Sequence, residues 1–137
     1  MLGIRGSMAS KIILVGTLLA LPAQAGAFDL TGAWASGADQ CGLVFKKNGS
    51  RVTFAKDSEI HGAGFIADGN QLRGRAARCT VKSKNEVGGT VNLLAACATD
   101  IMLGSVQFSM KVVDDNKITR FFPGMEGMEV NYYRCAL

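Results

Sequence analysis

Asp57, Glu59 and His61 stand two residues apart along the chain. On an extended segment they would project from one face, and two carboxylates with an imidazole form a plausible divalent-metal set. Gly62 and Gly64 follow directly, however, and a polar loop between strands accounts for the same pattern. The loop is the reading adopted, and no metal or other cofactor is expected. His61 is the single histidine of the chain. Catalysis needs a positioned acid, base or nucleophile. There is no nucleophile elbow, H-E-x-x-H or phosphate loop here. The chain is expected to bind rather than to catalyse.

A second group is basic. Arg73, Arg75 and Arg78, followed by Lys82 and Lys84, form a stretch with no acid among them. On one strand Arg73 and Arg75 would share a face, and guanidinium groups pair well with carboxylates and phosphates. These arginines are therefore candidate contacts to an anionic ligand, an acidic partner or an anionic membrane surface, set against a plain solvated exterior. A Gly-Met-Glu repeat, Gly124-Met125-Glu126 and Gly127-Met128-Glu129, reads as a loop. Its methionines would either form an adaptable contact surface or fold back as a plug. Trp34, two Tyr and seven Phe fall largely at alternating positions, as core residues do.

The four cysteines are Cys41, Cys79, Cys97 and Cys135. None lies closer than 18 residues to another, so no C-x-x-C zinc knuckle is present. An even count in a short exported chain points to disulfides. Four cysteines allow three connectivities, which spacing does not separate. The pairing expected is Cys79–Cys97 across one hairpin, with Cys41–Cys135 tying the start of the domain to its end.

Export is read from residues 1–25. Arg5 and Lys11 precede an apolar run at 12–21, Pro22 breaks it, and Ala23-Gln24-Ala25 supplies the small-x-small pattern of signal cleavage. The run is about half of the roughly 20 residues a spanning helix needs, so a cleaved signal helix is expected rather than a stable membrane anchor. The mature chain is then residues 26–137, a single domain in the periplasm or outside the cell. Loss of Arg5 and Lys11 takes the fifteen Lys and Arg to thirteen, against eleven Asp and Glu. A net charge of +2 does not imply nucleic acid as a partner.

Beyond residue 25, helical spacing is absent and short runs of β-branched and aromatic residues recur between turn signals. Strands are predicted at 30–35, 42–46, 51–55, 64–67, 71–75, 77–82, 90–96, 104–113, 117–122 and 130–135. Asn48-Gly49, Asp68-Gly69, Gly88-Gly89 and Asp114-Asp115-Asn116 mark reversals. Within 104–113, Val106, Phe108, Met110 and Val112 point one way, and Gln107, Ser109 and Lys111 the other. Successive hairpins of this kind predict an all-β fold, first a small up-and-down antiparallel barrel closed on itself and second an open sandwich.

The opening of that pattern, Leu30-Thr31-Gly32-Ala33-Trp34, resembles the Gly-x-Trp signature of calycin-type barrels. In those barrels the indole plugs one end and the glycine admits a close neighbour, roles that fall here on Trp34 and Gly32. The longer string through Ser36-Gly37-Ala38-Asp39-Gln40-Cys41 is similar to periplasmic inhibitors of serralysin-type metalloproteases. That resemblance implies an N-terminal arm entering the protease cleft, here Gly26, Ala27, Phe28 and Asp29. Avidin-like barrels share Gly-x-Trp but build their ligand box from several tryptophans, and Trp34 is alone, so biotin is not expected. The leading expectation is a monomeric, exported, disulfide-bonded binding protein of the protease-inhibitor kind. Its alternatives are a carrier of a small apolar or anionic ligand and an envelope-stress or host-interaction factor. A filled interior would speak against the carrier, and a hollow one against the inhibitor.

Overall fold

In the computed structural model, residues 27–137 are described together with Gly3 and residues 15–20. Strand β1 (Gly32–Ala35) is followed by a short helix α1 (Cys41–Val44) and a hairpin, β2 (Phe45–Asn48) with β3 (Arg51–Phe54). A meander completes the chain: β4 (Gly64–Asp68), β5 (Gln71–Arg73), β6 (Arg78–Val87), β7 (Thr90–Ala98), β8 (Leu103–Asp114), β9 (Lys117–Phe121) and β10 (Glu129–Arg134). The closed barrel runs β1-β10-β9-β8-β7-β6-β5-β4, each strand antiparallel to its neighbours. Closure leaves the barrel no unpaired edge. The all-β barrel expected from alternation is the fold observed.

Strand β1 is the closing stave. Trp34 pairs with Arg134 of β10 on one side and with Phe65 of β4 on the other. One end of the barrel, the arm end, carries the start of β1 and the β4–β5, β6–β7 and β8–β9 turns. The other, the mouth end, carries the β5–β6, β7–β8 and β9–β10 connections and the segment between β1 and β4.

Two apolar layers result. Trp34, Leu72, Val91, Leu93, Met110, Ile118 and Tyr132 fill the barrel interior. Outside the wall, the α1–β2–β3 segment packs Val44 and Phe45 against Ala33, Ala35 and Ile66. Ala33, Trp34 and Ala35 are thus buried in succession, the indole inward and both alanines outward under the hairpin.

This outer layer corrects the strand predicted at 42–46. Cys41–Val44 is a helical turn, and β2 begins only at Phe45. Val44 and Phe45 are adjacent and both buried in one layer, whereas neighbours on a strand face opposite ways. Two turn positions also move by one residue. The loops are Gly49-Ser50 and Gly69-Asn70, with Gly49 at φ +65° and Gly69 at +57°, while Asn48 and Asp68 close their strands. Gly88-Gly89 turns as expected, both at positive φ. Ser109, predicted on the wet face, is 1% exposed and donates its hydroxyl to Asn92 Oδ1 at 2.9 Å.

Both expected disulfides are present. Cys79 and Cys97 are direct partners in the β6–β7 register, Cα atoms 4.0 Å apart. Cys41–Cys135, at 5.6 Å, fastens α1 to the end of β10. Among the described residues no cysteine is free, and no helix is long and apolar enough to cross a membrane. The cleavage site and most of the signal segment lie outside the described residues. The stretch 15–20 is exposed and takes no regular structure, so the expected signal helix is not among the elements seen.

Candidate functional site

The arm end is shut by Trp34 and Arg134. The indole is fully buried, and its Nε1 donates to the Leu30 carbonyl at 2.8 Å. The Arg134 guanidinium lies 4.3 Å from the centre of the indole ring. It donates from Nε to Asp115 O at 2.9 Å, from Nη2 to Asp29 O at 2.7 Å, and from Nη1 to Thr31 O. Gly32, at φ +135°, passes so close that an added Cβ would stand 3.3 Å from Arg134 Nη1.

The arm is tied down at this same end. Phe28 donates its N–H to Glu86 Oε1 at 2.9 Å and accepts from Lys84 Nζ at 2.7 Å, while Lys84 and Glu86 pair at 3.1 Å. The Phe28 ring leans on Trp34, with centroids 6.2 Å apart. The Thr31 backbone N–H donates to the exposed Asp29 carboxylate at 2.9 Å, and this bond holds its pKa below the usual carboxylate value. Of the four arm residues, Phe28 and Asp29 are held against the barrel, Ala27 is exposed, and Gly26 lies outside the described residues.

The basic stretch does not assemble into one anion site. β5 ends at Arg73, so Arg75 has left the strand and no longer shares its face. Arg73 Nη2 donates to Val52 O at 3.3 Å. Arg75 donates from Nε to the buried Ser58 Oγ at 2.7 Å and from Nη2 to Gly62 O, and it stacks on Phe54. Two of the three arginines therefore fasten the outer layer to the barrel, and Arg78 is left exposed at the start of β6. Asp57, Glu59 and His61 fall on a loop, as expected. Ser58–Ile60 forms a 3-10 turn between them, and no metal-ligating group forms among the described residues. Met125 and Met128 are 53% and 52% exposed, so the β9–β10 connection is no plug.

Toward the mouth end the interior is incompletely filled. A cavity of about 190 Å³ lies between Phe65, Leu72, Phe108, Met110 and Tyr132, with Gly74 and Ala77 of the β5–β6 connection at its rim. Wider depressions near Phe28 and beneath the β9–β10 connection are more open to solvent. Arg120 of β9 also lines this cavity. Its guanidinium carbon lies 4.6 Å from the centre of the Phe108 ring and 4.7 Å from that of Phe122. Its Nε is buried and has no hydrogen-bond partner. The ion pair found among the described residues is Lys84–Glu86, so no described carboxylate neutralises Arg120.

Sequence reasoning missed Arg120. The signal was the alternation itself: Ile118 is fully buried inside the barrel, and Arg120, two residues on, shares its face. The charge reads as exterior until the fold brings Phe108 and Phe122 around it. No family model, curated protein or solved structure matches the chain.

Proposed function

We propose that the protein is an exported binding protein that carries a small organic ligand inside its barrel. The observation that supports this most is Arg120, a half-buried cationic side chain that lines a largely apolar cavity with its buried Nε lacking a hydrogen-bond partner. A buried N–H left without an acceptor costs free energy, so such an arrangement favours a function that supplies the acceptor. Export is supported by the apolar run and Ala-x-Ala pattern of residues 1–25 and by the two disulfides. Catalysis has less support: His61 sits on the β3–β4 connection and is not among the cavity-lining residues.

Inhibition through an inserted arm fits the geometry less well. Phe28 would have to leave Trp34, Lys84 and Glu86 before it could enter another protein's cleft. The interior is mostly filled, which limits the carrier to a small ligand. An apolar cavity of about 150 Å³ accepts benzene, so about 190 Å³ admits a ligand near that size.

The test is backbone amide NMR of the oxidised protein titrated with toluene. Shifts are expected at Leu72, Phe108, Met110 and Tyr132, and they should vanish in Ala77→Trp, which closes the rim. Shifts scattered over the exterior, or unchanged in Ala77→Trp, would overturn the reading.

A further inference from the structure

We infer that the ligand is a small monocarboxylic acid, its carboxylate held by Arg120 and its apolar body lying toward Leu72, Met110 and Tyr132. This rests on the interior-binding reading and adds the chemical class of the ligand. The guanidinium carbon lies over the Phe108 and Phe122 rings, at 4.6 and 4.7 Å from their centres. They offer its in-plane N–H groups no acceptor, and a guanidinium carries five such donors. The buried Nε–H is therefore a donor awaiting an oxygen.

The charge, shape and size of the site each narrow the class. A guanidinium edge presents two parallel N–H groups that match the two oxygens of a carboxylate. A neutral ligand would leave the charge uncompensated in a pocket whose other side chains are chiefly apolar and aromatic. Arg73 lines the same cavity, and its Nη2 is committed to Val52 O, so it contributes positive potential while Arg120 retains the open donor. By comparison with the benzene-sized cavity, the volume holds about seven or eight non-hydrogen atoms, enough for the apolar body, a ring or short chain, of an acid whose carboxylate meets Arg120.

Titration calorimetry with benzoate and with benzyl alcohol tests the assignment on the oxidised protein. Benzoate should bind roughly ten- to hundredfold more tightly than the alcohol, as a charge-assisted hydrogen bond implies. Arg120→Gln should abolish that preference. Arg120→Lys should retain only part of it, because a lysine keeps the charge without the fork. Equal affinity for acid and alcohol in the wild type would overturn the carboxylate inference while leaving interior binding in place. A preference that survives Arg120→Gln would overturn the role of Arg120. Binding of neither compound would overturn both readings. Should Arg120→Gln fail to fold, the wild-type comparison and Arg120→Lys still decide.

Discussion

Arg134 covers Trp34 and joins the first residues of the barrel to the β8–β9 turn and the end of β10. Its guanidinium stacks 4.3 Å from the indole centre, while its N–H groups reach the carbonyls of Asp29, Thr31 and Asp115. Four features of the arm end (the arm, the start of β1, the β8–β9 turn and the end of β10) thus meet at one side chain. Replacing Arg134 by Leu keeps apolar cover for the indole but leaves those carbonyls without their donor. The expected cost is about 3 kcal/mol, read as a lowered urea midpoint with an unchanged slope. Arg134→Lys should recover little of it, since a single ammonium cannot reproduce the fork. A Lys variant as stable as the wild type would show that charge alone suffices.

The disulfides should be separable by experiment. Removing Cys79 and Cys97 together, as alanines, is expected to cost about 3 kcal/mol, and removing Cys41 and Cys135 nearer 5 kcal/mol, because the second bridge closes the longer loop. The two losses should also differ in place. Without Cys41–Cys135, hydrogen exchange should quicken first in α1, β2 and β3, which pack on the barrel from outside. Faster exchange spread evenly over β4 to β10 would contradict that layering.

Much of this architecture could be read from residue order. The run Val106, Phe108, Met110 and Val112 announced an inward face, and Gly88-Gly89 marked the β6–β7 turn with two residues that accept positive φ. Cysteines 18 residues apart on successive strands are placed to meet. Other features depend on what arrives from elsewhere in the chain. Val44 and Phe45 look like the middle of a strand, and only the neighbouring Ala33, Ala35 and Ile66 require both to face one layer. Arg75 follows β5 closely enough to look like its continuation, yet Ser58 and Gly62 draw it away. Arg120 was obscured most. A strand pattern gives its side of the wall, but not that two aromatic rings from other positions line that side.

Gly64 is a tighter constraint than its place at the start of a strand suggests. A Cβ there would lie 2.9 Å from the Trp34 carbonyl oxygen and 2.9 Å from Phe45 Cζ, with Val44 Cγ1 at 3.0 Å. One of these neighbours is backbone and cannot swing aside, so β1 or the outer layer would have to move. Gly64→Ala should cost about 1–3 kcal/mol by overpacking, measured by thermal or urea unfolding. Gly42→Ala serves as the control, because an added Cβ meets nothing within 4 Å there. Equal stability of the two variants would contradict the close approach.

Asp29 gives the arm end a pH dependence whose sign can be worked out. Its pKa is lowered in the folded protein, first by the Thr31 backbone N–H and then by a further Thr31 side-chain hydrogen bond, which together outweigh its desolvation, with smaller lowering contributions from Arg134 and Lys84. A carboxylate with a depressed folded pKa binds its proton more readily in the unfolded chain. Its contribution is therefore present above the unfolded value, about 3.9, and is lost as the pH falls through the lower folded value. Asp29→Asn removes that carboxylate, so the stability difference between wild type and variant should be constant from neutral pH to about 5 and should shrink on further acidification. The carboxylate is fully exposed, so the effect should also weaken in salt. Unfolding curves at low and high ionic strength across that acidic range measure both. A difference that grows as the pH falls would mean that Asp29 prefers its protonated form in the folded state, contrary to the Thr31 contact.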